Sequence, residues 1–307
     1  MNLLALFIGI FLEYTATRLF HLRAPRFAQR FIEPWFKVFG KNKHQDYLIL
    51  VLMLILSILP IALVDYWLLS GEHGLLRLIF SVVVLFFSFG PHDLVSDVED
   101  YQDALETVDD SAEQELLLLE AAMPLTEIRQ HSKLEACSRV VTEGILAQGN
   151  KRFFAVIFWF LVLGPVGAAL FRVSNSIRRE SYRFSQTERP VAAAAMAMNK
   201  VFRQWQGILG WVPARMTALC YVLTGDYQNS MQAFRNIRYT PNDDLYARNQ
   251  QVMIQTGTAA LQTPDALSLS DPDVAKTCTD DALQLVMRSL MVWTGIIALL
   301  TLGGALR

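Results

Sequence analysis

Three sets of residues carry the side-chain chemistry that this 307-residue sequence offers. The first is basic. Asn150, Lys151 and Arg152 stand together, Arg172, Asn175, Arg178, Arg179 and Arg183 follow, and Arg215 lies inside Trp-Val-Pro-Ala-Arg-Met at 211–216. A guanidinium in an apolar stretch must find a carboxylate, a phosphate or backbone carbonyls. Arg215 is therefore either a ligand residue or a structural clamp. Asn150, Arg152, Asn175, Arg178, Arg179 and Arg215 are the candidates for holding an anion, with ATP or another phosphorylated ligand as the cofactor such a set would suit. The second set is acidic: Asp93, Asp97, Asp100 and Asp103 share one helical edge. That spacing invites a divalent metal or a diphosphate, but no tight Asp-Asp-x-x-Asp cluster accompanies it, and Asp109-Asp110 beside Ser111 reads as a solvated turn. The third is Glu13, a carboxylate inside an apolar run, which either lies near the headgroups or pairs with Arg18, or else is a functional intramembrane acid. Cys137, Cys220 and Cys278 are scattered, without Cys-x-x-Cys or a histidine at ligand spacing, so no metal site is expected.

The elements that must position these residues are membrane helices. Apolar residues make up 53% of the chain and mean hydropathy is +0.29, with the excess gathered in blocks of the length that crosses a bilayer, about 20 residues. The formal net charge of −2 hides a segregation: an acidic tract at 93–120 and basic clusters at 23–43 and 172–203. No nucleic-acid partner is expected. The expected fold is all-α, a polytopic helical membrane protein with about four to five membrane helices plus cytoplasmic amphipathic helices.

In chain order, 1–20 is expected to be a first membrane helix, since it lacks the basic start and small-residue cleavage site of a signal peptide. Region 21–46 is a basic amphipathic helix, with Arg23, Arg26, Arg30 and Lys37 on one face and Phe27, Phe31, Trp35 and Phe39 on another. It either lies on anionic lipid at the interface or docks on the protein's own core, and Pro34 bends or splits it. A transmembrane hairpin fills 47–90, with Pro60 inside and Arg77 placed to snorkel. Acidic cytoplasmic helices at 91–149, including 113–123 and 125–147, present the face at 93–120 to a protein partner. The core at 150–226 holds membrane or re-entrant helices. Gly164-Pro165 breaks the span 153–171, Trp211 anchors at the headgroup layer, and Pro213 precedes a short apolar half-helix. An extramembrane helical region at 227–282 and a last transmembrane helix at 283–307 complete the chain. Positive-inside counting places the basic 21–46 loop in the cytoplasm, and a re-entrant 153–171 keeps 91–283 there as well.

Asn-x-Arg-Phe-Phe at 150–154, Phe-Trp at 158–159, Gly-Pro at 164–165 and Trp-Val-Pro-Ala-Arg-Met at 211–216, in this order, resemble the AmpE family of bacterial inner-membrane proteins, itself similar to the CobD/CbiB family of cobalamin biosynthesis. The AmpE resemblance implies a multi-pass inner-membrane regulatory or accessory protein linked to β-lactamase induction, hence antibiotic resistance, and to cell-wall recycling signalling, with a nucleotide or other anion as ligand. The CbiB enzymes join an aminopropanol group to cobyric acid by an ATP-dependent amidation and share the proline-alanine-arginine motif. Where they carry an acidic-asparagine pair and an aspartate before the apolar helix, this chain has Ala147, Gln148 and Lys151, and where they carry an aspartate after the asparagine at 175 it has Arg178. A carboxylate can hold Mg²⁺ and its phosphates; a lysine or arginine cannot, although it can contact phosphate directly. The resemblance thus implies a kept scaffold and a lost ligase chemistry, with no catalytic residue assigned. The alternative is a CbiB-like amide-forming membrane enzyme with an altered site, using Glu13, Glu143 or Asp97 as acid or base.

Overall fold

The computed structural model describes residues 2–15, 33–37, 43–70, 74–89, 94–106, 134–187, 190–261 and 272–303. Among them every regular element is helical, as the hydrophobic periodicity predicts. Four helices are long and apolar enough to cross a membrane: one spanning Asp46–Ser70, one beginning at Gly74, and those within Arg139–Ser185 and Asp273–Thr301. A fifth is reached if the successive helices Ala192–Leu209 and Trp211–Thr224 count as one broken span. The chain is a multi-pass membrane protein, and its outward apolar side chains, such as Leu48, Leu63, Leu75 and Leu299, are surface for lipid rather than for water.

The chain divides into two compact units. The first comprises Met1–Pro91, Ala155–Trp211 and Asp244–Ala247. It holds α1 (Asn2–Thr15), α2 (Lys43–Ser70), α3 (Gly74–Phe89), α6 (Ala155–Ser185) and α7 (Ala192–Leu209). Helix α1 packs on α3 so closely that a Cβ built on Gly9 would stand 2.7 Å from Leu85 Cδ2, which is why glycine sits there. Glu13 lies in α1, but its side chain falls outside the described residues. Helices α6 and α7 run antiparallel and are tied by polar rungs. Trp159 Nε1 donates to the Leu209 carbonyl at 3.1 Å, Gln206 Nε2 to the Phe171 carbonyl at 3.1 Å and Ser174 Oγ at 2.5 Å, and Asn199 Nδ2 to the Arg178 carbonyl at 2.9 Å. Between these rungs Ala195, Met198 and Phe202 bury against Leu50 and Met53 of α2. Gly164 breaks α6 with φ of +67°, a conformation that favours glycine, and Pro165 follows as expected for a break inside a membrane helix.

Of the basic amphipathic region at 21–46, residues 33–37 form a 3₁₀ turn and α2 starts at Lys43; the rest, with Arg23, Arg26 and Arg30, lies outside the described residues. Phe36 of that turn buries edge-on against Phe184, with ring centroids 5.1 Å apart, so this part docks on the protein's own core.

The second unit comprises His92–Phe154, Val212–Asp243 and Arg248–Arg307. It holds α4 (Leu94–Glu106), α5 (Leu134–Gly149), a π-helical turn (Asn150–Phe154), α8 (Trp211–Thr224), α9 (Tyr227–Arg235), most of α10 (Leu245–Leu261) and α11 (Pro272–Leu302). Leu94, Val98, Tyr101 and Leu105 of α4 are buried, matching the apolar edge expected for the acidic region. Its remainder at 107–133, with the expected helix 113–123 and the start of 125–147, lies outside the described residues. Helix α11 starts at Pro272 rather than 283. Its added turns bury Ala275, Cys278, Thr279 and Ala282, an amphipathic stripe too polar for a hydropathy window to mark as membrane, and proline suits a first helical position.

Candidate functional site

The basic residues that open the core sit on an unusual piece of backbone. After Gly149 the helix widens into a π turn over Asn150–Phe154, a form that is rare and frequent at functional sites. Gly149 is needed there. A Cβ on it would lie 2.8 Å from Val286 Cγ1 of α11 and 3.1 Å from the Tyr221 hydroxyl of α8. Tyr221 is itself buried, donates to the Leu146 carbonyl at 2.8 Å and meets Phe154 edge to face. The close approach of these helices forces Asn150, Lys151 and Arg152 inward, and all three are buried.

A buried guanidinium needs a counter-charge, and Arg152 has one: its Nη2 lies 2.5 Å from Asp97 Oδ2, with both side chains under a tenth exposed. Asp97 thus belongs to the packed edge of α4, not to the solvated acidic face. Only Glu99, Asp100 and Asp103 remain outward among its described acids. The sequence carries the signal. Asp97 stands three residues after Leu94 and four before Tyr101, which places it on the buried side. Beside it Gln102 Nε2 donates to Thr279 Oγ1 at 3.0 Å and to Asp280 Oδ1 at 2.8 Å, tying α4 to α11.

Asn150 is bound to α8. Thr217 Oγ1 lies 3.1 Å from Asn150 Oδ1 and 2.9 Å from the Pro213 carbonyl, and its single proton serves one of them at a time. Pro213, in the first turn of α8, costs no helical hydrogen bond there. One turn away Arg215 Nη1 donates to Asn249 Oδ1 of α10 at 2.8 Å, and Tyr239 stands beside it. Trp211 is half-exposed at the start of the helix. In this unit, then, Asn150, Arg152 and Arg215 share one packed set of helices. Thr217 and Asn249 are partners that no spacing rule singled out, because they come from separate stretches of chain.

Asn175, Arg178 and Arg179 belong to the first unit. Arg178 is buried, donates from Nη2 to Asn175 Oδ1 at 3.2 Å and lies over the Tyr246 ring at 4.8 Å from its centroid. Arg203 of α7 sits over the same ring at 5.1 Å and grips Asp244 with Nε at 2.5 Å and Nη2 at 3.3 Å. Arg179 is partly exposed beside them in sequence. Burial alone would raise the Asp244 carboxyl; the hydrogen bonds from Arg203 and from the Ala247 N–H, with the charge of Arg203, outweigh it and hold the group below the usual carboxylate range. Among the described residues no three His, Cys, Asp or Glu side chains gather as a metal site. The acid beside the π turn is committed to Arg152, so no metal-dependent step is derived from it.

A family model described as "CobD/Cbib protein" matches residues 4–262. Two curated relatives named "Cobalamin biosynthesis protein CobD" are similar to the chain. The one from Chromobacterium violaceum is 29% identical over 189 residues, covering 61% of this chain and 55% of its own. The one from Stutzerimonas stutzeri is 32% identical over 185 residues, covering 59% and 55%. The chain spans about half the length of these curated relatives. No solved structure matches it. These matches overturn the AmpE assignment and, with it, the expected regulatory role in β-lactamase induction and cell-wall signalling. The motifs at 150–154, 164–165 and 211–216 lie inside the matched region. Gln148, Lys151 and Arg178 also lie inside the matched region.

Proposed function

The chain belongs to the CobD/CbiB family, and from that premise we propose that it works in cobalamin biosynthesis as a membrane-embedded, amide-forming protein of CbiB type with an altered site. The carrying observation is that the family match takes in the whole arginine-bearing core, from the π turn to the half-helix with Arg215. Joining an amine to a carboxylate develops negative charge on oxygen, and donors held in place before reaction stabilise it. In the second unit Arg215 is held by Asn249, and Asn150 by Thr217, so both are preorganised donors for such charge. Arg152 serves the same site from behind, by fixing the π turn through Asp97. ATP, which the family resemblance implies, would supply the activating phosphoryl chemistry when bound, and the arginines fit its charge. We place the protein in the bacterial inner membrane, where such a substrate is reached from the cytoplasm.

The test is complementation. A cobalamin-requiring bacterial strain lacking its own CobD is supplied with this chain and grown without cobalamin. Growth, lost on Arg215→Ala at equal membrane abundance, supports the proposal; a well-inserted chain that never restores growth removes it.

A further inference from the structure

The half-helix α8 carries two threonines, Thr217 and Thr224, seven residues apart and so on one face. Each hydroxyl lies against the carbonyl four residues back in its own helix: Thr217 Oγ1 is 2.9 Å from the Pro213 oxygen, and Thr224 Oγ1 is 2.8 Å from the Cys220 oxygen. Each also meets a polar side chain from another element. For Thr224 this is Ser289 Oγ of α11 at 2.7 Å; for Thr217 it is Asn150 Oδ1 of the π turn at 3.1 Å. Between them the Tyr221 hydroxyl donates to the Leu146 carbonyl at 2.8 Å. Apolar packing is non-directional, so these three hydroxyls are what set the rotation and register of α8 against its neighbours.

The two threonines differ in what their partners can do. A hydroxyl has one proton to give and two lone pairs to offer. Thr224 gives its proton to the Cys220 carbonyl while Ser289 gives its own to Thr224, so both contacts are satisfied together. At Thr217 both neighbours are accepting oxygens, and one proton cannot serve the two. With that proton on Asn150 Oδ1, the amide is held with its N–H groups turned away from Thr217. With the proton on the Pro213 carbonyl, the amide turns over, an N–H donates to Thr217 Oγ1, and Oδ1 is turned away instead. Asn150 is 4% exposed, and its amide nitrogen has no hydrogen-bond partner among the described residues. A buried amide end is costly to leave unmet, so it is the part of this contact that a bound group would complete.

We propose that Thr217 is a positioning residue for Asn150: the setting of its one proton decides whether Asn150 offers an N–H to a substrate oxygen or its own oxygen to a substrate N–H. Amide formation presents both, since the amine arrives carrying N–H and the acyl oxygen gathers negative charge. No covalent bond to carbon or nitrogen changes at Thr217; its proton is redirected by rotation about Cβ–Oγ1. The inference rests on the cobalamin reading for the identity of the substrate, and the hold of Thr217 on the amide is read without it.

The full-length chain, labelled with nitrogen-15 in its asparagine side chains, is followed by NMR in detergent micelles, and the Asn150 amide signal is identified by its loss in Asn150→Asp. Thr217→Val, which keeps the shape and removes the hydroxyl, is expected to shift that signal and to broaden or split it, and Thr217→Ser to restore it. Thr217→Ala gives the same expected outcome where the valine variant does not fold. Thr224→Val removes the matching hydroxyl from the same helix and is expected to leave the Asn150 signal unchanged. A signal indifferent to loss of the Thr217 hydroxyl, or altered equally by Thr224→Val, overturns the inference. In the amide-forming assay Thr217→Val is expected to lower kcat about tenfold with KM unchanged, less than the loss of a donor outright, and Thr224→Val to leave both. Full turnover in Thr217→Val overturns the positioning role while leaving the cobalamin reading. If the unaltered chain forms no amide while the NMR pattern holds, the cobalamin reading falls and the control of the amide by Thr217 stands.

Discussion

Two arginines of the second unit, Arg152 and Arg215, stand on neighbouring helical elements and have opposite surroundings. Arg152 is buried against a carboxylate, so its charge is cancelled where it sits. Arg215 is partly exposed, donates to the Asn249 amide oxygen and stands beside Tyr239, partners that orient the guanidinium. The first is a structural tie, and the proposed role of the second is to meet an anion. An arginine inside an apolar stretch is therefore uninformative by itself; the charge of what holds it decides its use.

Substitutions that separate the two arginines give effects of different size and kind. The largest is expected for Asp97→Ala, which leaves Arg152 buried and unpaired at a cost of about 3–5 kcal/mol. Thermal unfolding of the detergent-solubilised chain should drop markedly, and the double change Asp97→Leu with Arg152→Met should recover most of the loss. Next comes Gly149→Ala, whose methyl would press on Val286 and Tyr221 at the π turn. Overpacking of this kind costs about 1–3 kcal/mol and should appear in the same melt. Arg215→Ala should move the melt by less than about 1 kcal/mol, within the range of partly exposed sites, while abolishing growth in the complementation assay. If it unfolds the protein as Asp97→Ala does, the contrast between the two arginines fails.

The smallest effect concerns pH. Because the Asp244 carboxyl titrates below its unfolded value, its contribution is present above the ordinary carboxylate pKa and is lost as pH falls through the depressed one. Stability should decline on acidification below the usual carboxylate range, and Asp244→Asn should flatten that decline. Salt should shrink the difference, since both partners are about a third or more exposed.

Much of the fold was legible because a bilayer imposes simple rules on sequence. The long apolar helix that carries Pro60 and the break at Gly164-Pro165 follow from apolar length and from glycine and proline chemistry, whereas the break before α8 falls at Gly210 and not at Pro213, which the first turn of the helix accommodates. The site was legible only as a set of cations. Residues 150, 152 and 215 were singled out by type, but the acid on Arg152 and the neutral partners of Arg215 come from distant stretches, and pairing across 55 or 34 positions leaves no periodic trace. Asp97 illustrates the limit: its charge argued for the surface, while its place between Leu94 and Tyr101 argued for the core, and packing decided. The family assignment failed for a different reason, since motifs that build a shared scaffold cannot say which member of the scaffold's kin a chain resembles more.

The proposed amide-bond formation in cobalamin synthesis is tested most directly on the product. Membranes containing the chain are incubated with cobyric acid, an aminopropanol donor and ATP, and the corrinoids are separated and weighed by mass spectrometry. The account predicts a corrinoid heavier by the aminopropanol-bearing group less one water, formed only with the chain present and not with Arg215→Ala. Unchanged cobyric acid, from membranes in which the chain is folded and abundant, would contradict it.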